Sequence, residues 1–280
     1  MAKRRTTVHD SVRDILQHVA PLPPEAGTPQ RHYEKTSRNL ETLLAYTERK
    51  FFQPGSHRAV AQGYLDEVGR MVLLHLIENF ERFLKEIAAV CVDCVAPFVL
   101  DDRFNAFRIL GSSLAAHFGT DTLGRSLCES ILWLDTDEIN SCFRKLLADP
   151  YEDGTFILFP KAERENLETL GLVWQLRHTM VHNVSVITRS DAIKLRLLAR
   201  RPVETPRLLT PTRADLRSLK RFLDDMAAQS NERIGKRLAE LLSTIHAGNP
   251  ILFAPQEMAN RLAALFGIPI TVGTASAPPP

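Results

Sequence analysis

The segment RAVAQGYLDEVGRMVLLHLIENFERFLKEIAAVCVDC, Arg58 to Cys94, constrains this chain more than any other. Leu65, Val68, Val72, Leu73, Leu76, Phe80, Phe83, Leu84 and Ile87 recur every three or four residues, with charged residues filling the intervals. A stripe of that period lines one face of an α-helix, whereas strand side chains alternate. Running for roughly ten turns, it needs other helices to cover it. The expected fold is all-α, a helical bundle.

Other segments supply the partners. Tyr33 to Phe52 is helical in pattern until Pro54-Gly55, and a short helix over Thr7 to Val19 is stopped by PLPPEAGTP. Beyond Pro97 the pattern predicts helices over Asp102–Phe118, Asp121–Trp133 and Thr136–Ala148. The last of these opens with TDEI, a capping residue followed by acids that suit a helix amino terminus. Lys161 to His182 follows, with Leu167, Leu170, Val173, Trp174, Met180 and Val181 for its apolar face. Long and short helices over Thr212–Ile245 and Gln256–Phe266 complete the set.

Three stretches break the helical period. YEDGTFILFP, Tyr151 to Pro160, reads as a turn with one short strand. VSVIT alternates and AIKLRLLAR is compatible with a second strand, which predicts a small β-hairpin appendage over Val184–Leu209. The tail from Gly267 to Pro280 is expected to be disordered. The chain thus divides into a helical extension over 1–57, a main helical domain over 58–246 with an insertion at about 101–160, and a closing segment over 247–280.

A hydrophobic share of 44% and a charged share of 24% match an ordinary globular protein. The opening MAKRRTTVHDSVRDIL has no apolar run after its basic cluster, and Met71 to Ile77 is broken by His75, far short of the roughly 20 apolar residues of a span. A soluble, cytoplasmic protein without a membrane partner is expected. Cys91 and Cys94 lie in a helical pattern, and Cys128 and Cys142 lack the paired spacing of a zinc knuckle, so all four read as buried free thiols. GYLDEVGR lacks the Lys-Ser or Lys-Thr of a phosphate loop, and no GxSxG elbow is present.

The chemistry concentrates in LRHTMVHN, Leu176 to Asn183, which ends a helix with one arginine and two histidines. A guanidinium can grip two phosphate oxygens while an imidazole moves protons near neutral pH, so the two together suit RNA cleavage without a metal. Spacing alone does not single the stretch out, because Arg4 with His9, Arg13 with His18 and Arg70 with His75 repeat it. On a straight helix Arg177 and His182 stand about 140° apart and about 7.5 Å apart in rise. Convergence on one phosphate therefore calls for the seam between two copies of the chain, or for a helix that loosens before His182. Alternatively, His182 is a helix-end histidine favoured by the dipole and Arg177 an ion-pair partner. His178 and His182 share a face suited to a divalent metal, but no third ligand stands at a fitting spacing and HTMVH lacks the glutamate of HExxH. No metal is expected.

LRHTMVHN, with a hairpin and a long helix after it, resembles the signature of HEPN domains, in which an arginine, four to six residues and a histidine end a bundle helix. LLHLIENFERFLKEIA, Leu73 to Ala88, resembles the early helix of that family. The likeness covers roughly Arg58 to Leu242, with Asp101 to Pro160 in the place of a family-variable insertion. It implies a homodimeric, metal-independent endoribonuclease with no cofactor, of the toxin, abortive-infection or other antiviral defence type. On this sequence it implies that Arg177 contacts the scissile phosphate and His182 serves as general acid or base while the 2′-hydroxyl attacks, leaving a 2′,3′-cyclic phosphate. His178 stands where the family often has asparagine, Asn183 and Glu78 are candidate supporting residues, and Glu78 and Glu81 either orient the arginine from the neighbouring helix or form a charged stripe facing water.

From Arg189 to Arg221 ten basic residues face three acidic ones, enough to track phosphates. Arg189, Lys194, Arg196, Arg200 and Arg201 are the candidate RNA-binding residues, for a single-stranded or loop RNA. A partner protein that neutralises or activates such an enzyme is a further expectation. The competing class is a non-catalytic helical subunit that uses its bundle to bind another protein.

Overall fold

The computed structural model describes residues 27–51, 58–98, 124, 128, 133–148, 156–200, 202 and 207–273. Among them are seven helices and one pair of two-residue strands, an all-α architecture. The helices are α1 (Pro29–Phe51), α2 (Arg58–Val95), α3 (Thr136–Leu146), α4 (Arg164–His182), α5 (Arg189–Ala199), α6 (Arg213–Gly248) and α7 (Pro255–Phe266). Strand β1 (Val186–Ile187) pairs antiparallel with β2 (Arg207–Leu208), placing Val186 opposite Leu208. No helix among the described residues is long and apolar enough to cross a membrane.

The period of Arg58–Cys94 sets the centre of the molecule. Phe80, Phe83, Leu84 and Ile87 of α2 are fully buried, and α1, α4 and α6 pack around them. Phe80 stacks on Trp174 of α4 with ring centroids 6.0 Å apart and meets Tyr33 of α1 edge-on at 6.4 Å. Tyr33 also joins three helices through polar groups. Its hydroxyl donates to Asp224 Oδ1 on α6 (3.0 Å), and its carbonyl accepts from Asn79 Nδ2 on α2 (2.9 Å). Buried aromatic rings with satisfied polar atoms specify one packing rather than several.

α2 runs unbroken through Cys91 and Cys94, and all four cysteines are buried and unpaired. Burial pushes the thiols up, Cys94 to about 11 and Cys142 to about 12, with Cys91 and Cys128 raised in the same direction. Only the thiolate reacts quickly. A disulfide reagent added at pH 8 should therefore modify almost no cysteine in the native protein and all four once denaturant is present, as read by thiolate absorbance. Rapid modification of the native chain would mean that this part of the core is open.

Three expectations are corrected. AIKLRLLAR forms helix α5, not a second strand, and the strand pair is closed across that helix by Arg207–Leu208. The reason is local: Thr188 Oγ1 accepts from the Asp191 amide (3.2 Å) while the Asp191 carboxylate accepts from the Thr188 amide (3.1 Å), a reciprocal cap that starts a helix. Residues 156–160 form no strand, and the rest of that segment lies outside the described residues. Gly267 to Gly273 is packed, with Ile268 and Ile270 against the core and Val272 buried, whereas 274–280 lie outside the described residues. The helices expected over 7–19 and 102–118 lie outside them also, as does the 121–133 helix apart from Gly124, Cys128 and Trp133.

Candidate functional site

Helix α4 presents three faces, each set by its spacing. Leu170, Val173, Trp174, Arg177 and Met180 form the stripe towards α2, while Leu172 and Leu176 pack on Ile187, Ala192 and Leu195 of the β1–α5 unit. His178, Val181 and His182 are exposed. The helix is continuous through His182, capped by Asn183, whose amide donates to the Thr179 carbonyl (3.0 Å). The loosening that would swing His182 towards Arg177 does not occur.

Arg177 therefore points inward and His182 outward. The guanidinium lies 3.9 Å from Glu81 Oε2 on α2, a carboxylate that also binds Lys85 at 2.8 Å. The Arg177 side chain remains 23% exposed, and its buried Nε has no hydrogen-bond partner among the described residues. No bond joins Arg177 to His182 among the described residues. The two histidines do meet, with ring centroids 4.6 Å apart.

Of the two carboxylates considered for orienting the arginine, Glu81 and not Glu78 lies beside it. Glu78 pairs with His75 on its own helix (3.1 Å), and Glu81, three residues further along α2, is the carboxylate beside Arg177. One turn of α2 decides between them, and only the crossing of α2 with α4 sets which turn arrives. The look-alike pair Arg70 and His75 differs from the motif in its surroundings. Arg70 is paired with Glu67 and His75 with Glu78, whereas His178 and His182 have no hydrogen-bond or ion-pair partner among the described residues.

Asn183 holds the end of the motif through Asp191, a residue that the sequence reading passed over. The Asp191 carboxylate is buried and accepts from Asn183 Nδ2 (2.8 Å), Gln175 Nε2 (3.1 Å), the Thr188 hydroxyl (2.7 Å) and the Thr188 amide. Burial pushes its pKa up, but the hydrogen bonds from Thr188 and Asn183 outweigh that and hold the carboxyl below its usual range. The signal for it was Thr-x-x-Asp at 188–191, a capping box hidden in an alternating stretch. Between α4 and this helix, Val184 and Ser185 take positive φ values of 50° and 65°. Such backbone is strained for β-branched valine, and the Asp191 network on both sides pins it.

The basic stretch is only partly available. Arg200 pairs with Glu168 (2.6 Å), Arg213 with Glu48 (2.6 Å) and Lys220 with Asp224 (2.7 Å). Arg189, Lys194 and Arg196 are exposed on α5 and have no ion-pair partner among the described residues, and Arg201 lies outside those residues. Ile193 and Leu197 share that helix and are also exposed, at 58% and 72%. Compared with family models, curated proteins and solved structures, the chain matches none.

Proposed function

We propose that the protein is a HEPN-type endoribonuclease that cuts single-stranded or loop RNA without a metal, acts as a homodimer in the cytoplasm, and belongs to a toxin, abortive-infection or other antiviral defence system. The observation that carries this reading is the end of α4: two exposed imidazoles without polar partners among the described residues, beside a guanidinium whose Nε lacks an acceptor among them. Buried donors in folded proteins find acceptors, and a phosphate oxygen is a strong one. Because Arg177 and His182 diverge on one chain, a seam between two chains lets the arginine of one meet the histidine of the other. There Arg177 steadies the charge on the phosphorus oxygens and His182 moves the proton as the 2′-hydroxyl displaces the 5′-oxygen, leaving a 2′,3′-cyclic phosphate.

The experiment is incubation of the purified dimer with end-labelled RNA, with and without chelator. Chelator-resistant cleavage ending in cyclic phosphate is the expected result, and cleavage that needs added metal would overturn it. Arg189, Lys194 and Arg196 guide the strand. Replacing all three with alanine should reduce the slope of log affinity against log salt by about 2, at roughly 0.7 per lost phosphate contact with a single strand. An unchanged slope would remove α5 from the RNA path.

The second reading is a non-catalytic subunit that binds a protein partner, a neutralising or activating one included. Ile193, Leu197 and Val184, the last 80% exposed, favour it, since aliphatic groups in solvent suit a protein surface better than a phosphate backbone. Absence of cleavage with RNA of any kind, together with a stable protein complex through α5, would select it.

A further inference from the structure

We propose that His178 and His182 form a two-imidazole clamp for a divalent transition-metal ion of the zinc, nickel and copper class. The two residues are four apart on a continuous helix, so their side chains rise from adjacent turns of one face, and the rings already lie 4.6 Å apart by centroid. Both are exposed and neither has a hydrogen-bond or ion-pair partner among the described residues, so nothing there competes for a ring lone pair. An imidazole nitrogen of intermediate softness suits this class of ion and not magnesium or calcium.

Two features of the surroundings favour a cation. His182 sits in the last turn of a 19-residue helix, where carbonyls near the carboxyl end carry partial negative charge, and His178 stands one turn before it. The nearest guanidinium in sequence, Arg177, is turned away against Glu81. No group of three or more histidine, cysteine or carboxylate ligands occurs among the described residues, so water completes the coordination shell. An ion held by two protein ligands keeps open positions for exchange with solvent, unlike the closed four-ligand shell of a structural site. One consequence rests on the ribonuclease reading: an ion in the clamp takes the lone pairs that would carry protons, so zinc should arrest cleavage and chelator should restore it.

The site itself is tested without RNA, so its failure is separate from a failure of that reading. Untagged protein at pH 7.5 is titrated with copper, nickel, zinc and magnesium by calorimetry, beside His178→Ala and His182→Ala. Binding should follow copper above nickel and zinc, with none for magnesium. Each variant should bind at least about tenfold more weakly, because the second imidazole acts at high effective concentration once the first has bound. Circular dichroism checks that the exposed substitutions leave the helices intact. In parallel, substoichiometric nickel should broaden the ring proton signals of both histidines together. Equal binding by wild type and either variant, or broadening of one histidine alone, would overturn the proposal.

Discussion

Replacing His182 with alanine is expected to reduce RNA cleavage by about 10²- to 10⁴-fold, the range a positioned proton-transfer group supplies, while leaving the fold unchanged. The side chain is exposed and has no hydrogen-bond or ion-pair partner among the described residues, only a ring contact with His178, so its removal opens no cavity and strands no buried donor among them. Loss of cleavage is then chemical and not structural. Arg177→Ala should also be inactive but differs in kind, because the side chain is largely buried beside Glu81 and its removal leaves that carboxylate with Lys85 as its partner. Arg177→Lys keeps the charge and separates the two effects.

The two inactive variants together test the paired-chain site. Mixed and allowed to exchange subunits, Arg177→Ala and His182→Ala chains should recover part of the cleavage, since a mixed pair retains one arginine and one histidine. No recovery under exchange would exclude a site assembled across chains. A His182→Ala protein that cuts RNA as well as the wild type would remove His182 from the chemistry and with it the site proposed on α4.

The second large effect is on Asp191. Its carboxylate gathers donors from Gln175, Asn183 and Thr188, so alanine there leaves several part-buried donors unpaired and removes the reciprocal half of the cap of α5. The expected cost is about 3 kcal/mol, since one unsatisfied buried donor costs about 1–3 kcal/mol and neighbours partly find water. The loss should be local. The β1–α5 unit rests on a small apolar cluster of Ile187, Ala192 and Leu195, separate from the main core. Amide exchange in α5 should therefore rise by about 10²-fold while α2 and α6 hold their protection. Uniform loss across the bundle, or no change in α5, would contradict that separation.

The same residue sets a pH dependence. Its folded pKa lies below the unfolded value of about 3.9, so its contribution is fully present above that value and disappears as pH falls through the lower folded one. α5 should stay protected on this account from pH 8 to pH 5 and be the first helix to open on acidification. His182, at the end of α4 joined to α5 through Asn183, should lose its position in the same range.

The sequence by itself determined the helices and where the reactive side chains stand along them. The three-to-four spacing around Phe80, Phe83 and Ile87 is a local property of the chain, and so is the placing of Arg177 and His182 on different faces of one helix. Local signals can also mislead. VSVIT alternates as a strand does, yet Thr188 and Asp191 cap a helix within two residues of its end.

Tertiary structure alone decided which groups meet. Glu78 and Glu81 are equivalent in sequence terms, and the crossing of α2 with α4 delivered Glu81 to Arg177. The basic stretch reads as one patch until Glu168, Glu48 and Asp224 neutralise Arg200, Arg213 and Lys220 and leave the cations of α5 standing apart. The burial of Asp191 is likewise invisible along the chain. Periodicity records which face of a helix avoids water, but the rotation and height at which two such faces lock together depend on side-chain volumes from distant segments.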